Sequence, residues 1–128
     1  MSEAKFVSRA VRKKDAQALV TGKPVYTGDL VPAGALTVKL LRSPHARAWI
    51  EEIDCTAAMK IPGVVAIYTW QDVPQSRFTT AGQTYPEPSP YDRLILDRQI
   101  RCAGDPVAIV AAETPEAARK ALDRIKVR

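Results

Sequence analysis

One histidine and two cysteines are the only soft metal ligands in this 128-residue chain. His45, Cys55 and Cys102 lie far apart, and no Cys-x-x-Cys pair exists, so a structural zinc site of the usual spacing is excluded. The cysteines are expected to be buried free thiols. No apolar run approaches the ~20 residues of a membrane-spanning helix; the longest is Val107–Ala112. The start, Met1–Lys5, lacks the apolar stretch of a secretory signal, so a cytoplasmic location is expected. Internal repeats and low-complexity tracts are also missing. Gly22-Lys23-Pro24 lacks the Ser or Thr and the upstream glycine of a phosphate loop, and Gly28 and Gly34 make no dinucleotide fingerprint.

What remains is an ordinary globular composition, 46% hydrophobic and 26% charged. At this length the chain has room for one domain with a real core. The net charge of +5 is crowded at the N-terminus, around Lys5, Arg9, Arg12, Lys13 and Lys14. A basic arm can track phosphates. Here only Phe6 could serve as a stacking ring, and no nucleic-acid motif follows. Docking on protein is the simpler role, and neither a nucleic-acid nor a membrane partner is expected. Residues 1–19 are read as the arm and 20–128 as the folded domain.

Periodicity predicts an α+β fold with a mixed β-sheet, a short helix near 55–60 and a C-terminal helix near 115–125. Leu36, Val38 and Leu40 alternate with polar neighbours and are expected on the buried face of a strand. Ala48–Ile53 reads as a second strand with a bulge. Asp54 is placed to cap a helix over Cys55–Lys60, which Pro62-Gly63 ends. Val64–Thr69 follows as a strand, Trp70–Val73 as one helical turn, and Leu94–Leu96 and Gln99–Cys102 as short strands. Val107–Ala112 is apolar on both faces, as a central strand is. In Thr114-Pro115-Glu116, Thr caps a helix, Pro takes the first position and Glu meets the positive helix end. Ala117, Ala118, Ala121, Leu122 and Ile125 would be its buried side. Ile125–Arg128 reads as the helix tail or a new strand, and an ending there suggests a piece of a longer chain.

No standard catalytic arrangement emerges. A Ser/His/Asp triad would need His45, and Ser43 lies only two residues away across Pro44. Asp105, between Gly104 and Pro106, is read as a turn-capping carboxylate rather than an acid or base. Glu51, Glu52 and Asp54 form an acidic cluster facing solvent. The long stretch from Gln75 to Asp92 carries Pro86, Pro88 and Pro90 and fits neither helix nor strand. Phe78, Tyr85 and Tyr91 within it are the candidate residues of a substrate-approach or interdomain loop. No residue is assigned to catalysis, a cofactor or a metal.

Several blocks together resemble the start of the molybdenum-binding subunit of xanthine dehydrogenase-type enzymes. They are Val20-Thr-Gly-Lys23, Leu41-Arg-Ser-Pro-His-Ala46, Ile53-Asp54, Pro62-Gly-Val-Val65, Asp72-Val-Pro74 and Gly104-Asp-Pro-Val-Ala108. In order and extent the chain resembles the a/b hammerhead domain of the xanthine dehydrogenase and aldehyde oxidase family. Cys102-Ala103 and Asp105 depart slightly from that pattern. The resemblance implies an enzyme that hydroxylates a purine, another heterocycle or an aldehyde with oxygen from water. It implies a molybdenum–molybdopterin cofactor in the complete enzyme, with Fe–S clusters and FAD in partner domains or subunits. The hammerhead domain would be non-catalytic alone, hold no cofactor and pack beside the molybdenum-cofactor-binding domain of the same chain. The competing reading is a self-contained binding module that uses its basic arm on an acidic partner or nucleic acid.

Overall fold

The computed structural model describes residues 10–23, 26–79 and 90–128. The chain divides into two units, one ending at Ala33 and one running from Gly34 to Arg128. In the first, helix α1 spans Ala16–Val20, and a single 3-10 turn spans Thr27–Leu30. The Tyr26 amide donates to Asp29 Oδ2 at 2.9 Å, fixing the start of that turn. Neither element buries a residue. Of the basic cluster, Arg12, Lys13 and Lys14 are exposed, Lys13 pairing with Asp15 at 3.4 Å, while Lys5 and Arg9 lie outside the described residues.

Among its described residues the second unit holds seven strands and two helices: β1 Thr37–Arg42, β2 Ala48–Trp49, β3 Ile53–Asp54, α2 Thr56–Met59, β4 Val64–Tyr68, β5 Gln99–Ile100, β6 Pro106–Ala112, α3 Pro115–Leu122 and β7 Lys126–Val127. A three-stranded sheet has the order β1-β6-β4, and two-stranded sheets pair β2 with β5 and β3 with β7. All four named pairs are antiparallel. The α+β class and both expected helices are present. The central place of β6 follows from its composition, since an all-apolar strand needs neighbours on both edges.

Helices α2 and α3 lie on one face of the three-stranded sheet. Thr114 caps α3, its Oγ1 accepting from the Ala117 amide at 3.1 Å, and Pro115 enters the first turn with no donor to lose. The main core joins Ala108, Val110 and Ala112 of β6 to Ala117, Ala118 and Ala121 of α3, with Ala58 and Ile125 beside them. A second, smaller core holds Ile50, Ile100 and Val107, and Leu41 and Ile53 touch both.

Four expectations are corrected. Leu36, Val38 and Leu40 are not the buried side of β1: they are exposed, and Thr37, Lys39 and Leu41 turn inward instead. The helices pack on the Leu41 side, so alternation located the strand and not its covered face. The stretch expected as one bulged strand is split into β2 and β3, because Ile50 turns into the second core between them. Leu94–Leu96 forms no strand; Leu96 is instead an anchor, 1% exposed, in irregular backbone. The expected helical turn at Trp70–Val73 is a single hydrogen-bonded turn and no helix: the Asp72 amide donates to the Thr69 carbonyl at 3.0 Å, and Asp72 Oδ2 accepts from the Thr69 amide at 2.7 Å and hydroxyl at 2.8 Å. As for the chain end, Lys126–Val127 is a strand, and Arg128 closes its ladder with Glu51 and Glu52 through backbone bonds and ion pairs.

Arg98 ties irregular backbone to both tryptophans. Its guanidinium carbon lies 5.2 Å from the Trp49 ring centroid and 4.8 Å from that of Trp70. Its Nε donates to the Ile50 carbonyl at 3.1 Å, and the Ile50 amide donates back to the Arg98 carbonyl at 2.9 Å. Two stacked rings and a charge-assisted bond predict a loss of about 2 kcal/mol for Arg98→Ala. Arg98→Lys should recover less than half of it, because an ammonium cannot lie flat between two rings. Urea unfolding followed by tryptophan fluorescence measures both; a change under about 0.5 kcal/mol for Arg98→Ala would overturn the clamp.

Candidate functional site

Two of the sequence blocks meet in space. The turn after β1 is stitched to the turn before β6. The Ser43 amide donates to the Asp105 carbonyl at 2.9 Å, and the Gly104 amide donates to the Ser43 carbonyl at 2.8 Å. Arg42 Nη1 donates to the Gly104 carbonyl at 2.8 Å. Gly104 has φ +94°, a conformation that disfavours any residue with a side chain. Ser43 is buried, and its Oγ accepts from the His45 amide at 3.1 Å. That bond runs to backbone, not to the imidazole, and His45 itself is exposed. The pair is a turn and not a proton relay.

Asp105 is the polar centre of this junction. Its Oδ2 accepts from the Arg101 amide at 2.8 Å and the Cys102 amide at 3.2 Å; its Oδ1 accepts from the Cys102 thiol at 3.1 Å and pairs with Arg93 at 3.7 Å. Burial works to raise its pKa, but the Arg101 amide, the Cys102 thiol and amide and the Arg93 charge together hold it below the usual value. The turn-capping reading therefore stands. The same contact pushes the Cys102 thiol up, with burial and the Asp105 charge adding to it. Cys55 is also raised, by burial and then by Asp54 and Asp72. Both thiols are free, but the expectation of burial fails for Cys102, which is exposed on its turn, and Cys55 is only partly buried. Neither has the lowered pKa of a reactive cysteine.

The long loop is closed at its stem. Phe78 and Arg93 exchange backbone bonds of 2.9 and 3.1 Å, and Arg77 Nη1 donates to the Asp92 carbonyl at 3.2 Å. Phe78 lines a cleft of about 310 Å³ with Arg93, Leu94, Gln99 and Arg101. The charges there are matched: Arg101 pairs with Asp92 at 3.1 Å and Asp97 at 3.7 Å, and Arg93 with Asp105. Tyr91 is 62% exposed and does not line this cleft. Tyr85 lies outside the described residues. Sequence reasoning did not find Arg98 or the Ser43–Gly104 stitch; a chain with only two tryptophans and an arginine-rich segment was the available signal.

Among the described residues, no three His, Cys, Asp or Glu side chains converge as metal ligands. The strongest oxygen donor, Asp105, already accepts from three groups. None of the described residues is assigned to holding a molybdenum cofactor. No described helix is long and apolar enough to cross a membrane.

Comparison with known proteins places this geometry. The model for the aldehyde oxidase and xanthine dehydrogenase a/b hammerhead domain matches residues 21–128. The probable hypoxanthine oxidase XdhD of Escherichia coli is 42% identical over 98% of this chain, which covers 13% of that protein. A xanthine dehydrogenase molybdenum-binding subunit of the same species is 41% identical over 88% of the chain, covering 16% of the subunit. The crystal structure of quinoline 2-oxidoreductase from Pseudomonas putida superposes with a TM-score of 0.78 at 32% identity, over 92% of this chain and 15% of that one. In each relative this stretch is a small part of a longer polypeptide, which lends no support to a self-contained binding module.

Asp105 carries a pH prediction. Its folded pKa is depressed, so its contribution is fully present above the ordinary carboxylate range and is lost as pH falls through the folded value. Asp105→Ala should lose about 2 kcal/mol at neutral pH, because the Arg101 and Cys102 amides lose a charged acceptor. The difference from wild type should shrink below about pH 4, the ordinary Asp value. Urea titrations from pH 7 downward test this, and a pH-independent gap would refute it.

Proposed function

The chain belongs to the a/b hammerhead domain family of aldehyde oxidase and xanthine dehydrogenase, and we propose that it is the N-terminal, non-catalytic structural domain of a xanthine dehydrogenase-type molybdenum hydroxylase. One observation carries this reading. Nearly the whole chain matches the domain, yet it spans only 13–16% of the curated relatives it resembles. The complete enzyme would oxidise a purine, another heterocycle or an aldehyde, with the oxygen taken from water. Its molybdenum–molybdopterin cofactor would accept the two electrons, and Fe–S and FAD domains or subunits would pass them on. The relatives' names span a purine and a quinoline, so the substrate class is left at that breadth. A cytoplasmic location belongs to the same proposal.

The residues here would bind and exclude rather than react. The Ser43–Gly104–Asp105 stitch holds the turns, and the loop spanning 75–92 would face the substrate approach or the neighbouring domain. Phe78 at the stem cleft and exposed Tyr91 support that placement, with Tyr85 assigned to the same loop. The basic arm over 1–19 would contact the other domains.

The native polypeptide carrying this sequence, recovered through an affinity tag from its source cells, is expected to be several times heavier than 14.0 kDa. Its molybdenum content should be about one per polypeptide by mass spectrometry, as one mononuclear cofactor site requires. A metal-free native chain of 14.0 kDa would sink the assignment. The loop is tested separately. Replacing residues 80–89 by two glycines in the full enzyme should raise KM about tenfold, roughly 1.4 kcal/mol of binding, with kcat changed less. An unchanged KM would remove the loop from the substrate approach.

A further inference from the structure

The helices cover one face of the three-stranded sheet. On the helix side, Leu41, Ala108, Val110, Ala112, Val64 and Ile67 close the core. Register puts the other set of side chains in two rows across the sheet, Val38–Ala111–Ala66 and Leu40–Ile109–Tyr68. Every member is apolar or aromatic. Val38 is 59%, Leu40 37% and Tyr68 45% exposed. Of the second unit's described helices, α2 and α3 contact this sheet, both on the opposite face.

An antiparallel sheet with one wet face alternates apolar inward and polar outward. Strand β1 does the reverse: Thr37 and Lys39 point to the helix side, and Val38 and Leu40 point away. Strand β6 adds Ile109 and Ala111 to the same open face, and the unit's own core has no use for any of them. Such a contiguous apolar patch marks a contact surface.

We propose that the open face of the β1-β6-β4 sheet seats an apolar layer from the remainder of the larger polypeptide, making this sheet the middle of three layers. The proposal rests on the domain reading above. A second copy is the poorer occupant. Six side chains fall well short of the ~20–30 residues a side of a stable protein–protein interface. A tethered domain needs less area, because its effective concentration is already high. The relatives supply such a tether, with more than four-fifths of their length outside the matching stretch.

Photo-crosslinking in the intact polypeptide tests this. Tyr68→p-benzoylphenylalanine places a photoreactive ketone at the β4 end of one row, and Leu40→p-benzoylphenylalanine, at the β1 end of the same row, is the second probe should the first variant fold poorly. Peptide mapping after irradiation should find attachment to apolar residues outside 1–128. Attachment within 1–33, or to a second copy as a covalent dimer, would overturn the proposal, as would absence of any product with either probe. Molybdenum content of the same preparation separates the two readings. A molybdenum-containing enzyme without the cross-link defeats the docking face alone. A metal-free long polypeptide that cross-links outside 1–128 defeats the hydroxylase assignment and keeps the docking face.

Discussion

The second unit depends on how closely α3 can approach β6. Ala117, Ala118 and Ala121 on the helix meet Ala108 and Ala112 on the strand, none more than 7% exposed. Small side chains let the two layers come together at short distance. Eight residues cannot hold a helix alone, so α3 exists because that contact and the Thr114 cap hold it. Gly63 is bound by the same constraint. It has φ +84°, and a Cβ there would lie 3.4 Å from the Ala117 Cβ, while its carbonyl accepts from the Glu113 amide at 2.8 Å. The positive φ of Gly63 and its bond to Glu113 join the turn into β4 to the start of α3.

From that contact the rest follows by shared residues. Leu41 and Ile53 reach both cores, so the small β2-β5 sheet is carried on the main one rather than standing independently. Two-residue strands have little stability of their own. What keeps β2 and β5 in place is the packing of Ile50 and Ile100, the Arg98 clamp and the backbone stitch between Ser43 and Gly104. Two of the six blocks that carry the family resemblance, Leu41–Ala46 and Gly104–Ala108, are the two sides of that stitch.

What the sequence made legible was local. Thr114-Pro115, Pro62-Gly63 and the apolar run of β6 each encode their element in a few consecutive residues, and each is found where expected. Asp54 also acts next to α2, although through the Thr56 amide at 2.9 Å rather than as the N-cap, which is Cys55. What could not be read was long-range. Period-two alternation reports that one face of β1 is apolar; it does not report what lies above that face. The Arg98–Trp49–Trp70 stack joins three separated segments, and no spacing rule connects them. Leu96 is buried by tertiary packing in backbone with no regular pattern. Of the two loop aromatics among the described residues, Phe78 lies at the stem cleft, because the Arg93 ladder fixes the stem next to it.

The polar and apolar groups of this unit are distributed in opposite senses. Its polar groups at the junction and the cleft are paired: Asp105 accepts from three donors, the Cys102 proton is held by that carboxylate, and the cleft's arginines are paired with aspartates. No buried side-chain nitrogen or oxygen among the described residues lacks a partner. Its apolar residues, by contrast, are left outward on the sheet face that carries Val38, Leu40 and Tyr68. A free-standing enzyme or ligand-binding module would show the reverse, an apolar exterior kept small and a few polar groups left open to substrate. Saturated polar groups with an unmatched apolar face suit a layer inside a larger protein. Under the proposed hydroxylase reading, such a layer would supply rigidity, a fixed wall for chemistry done elsewhere in the polypeptide.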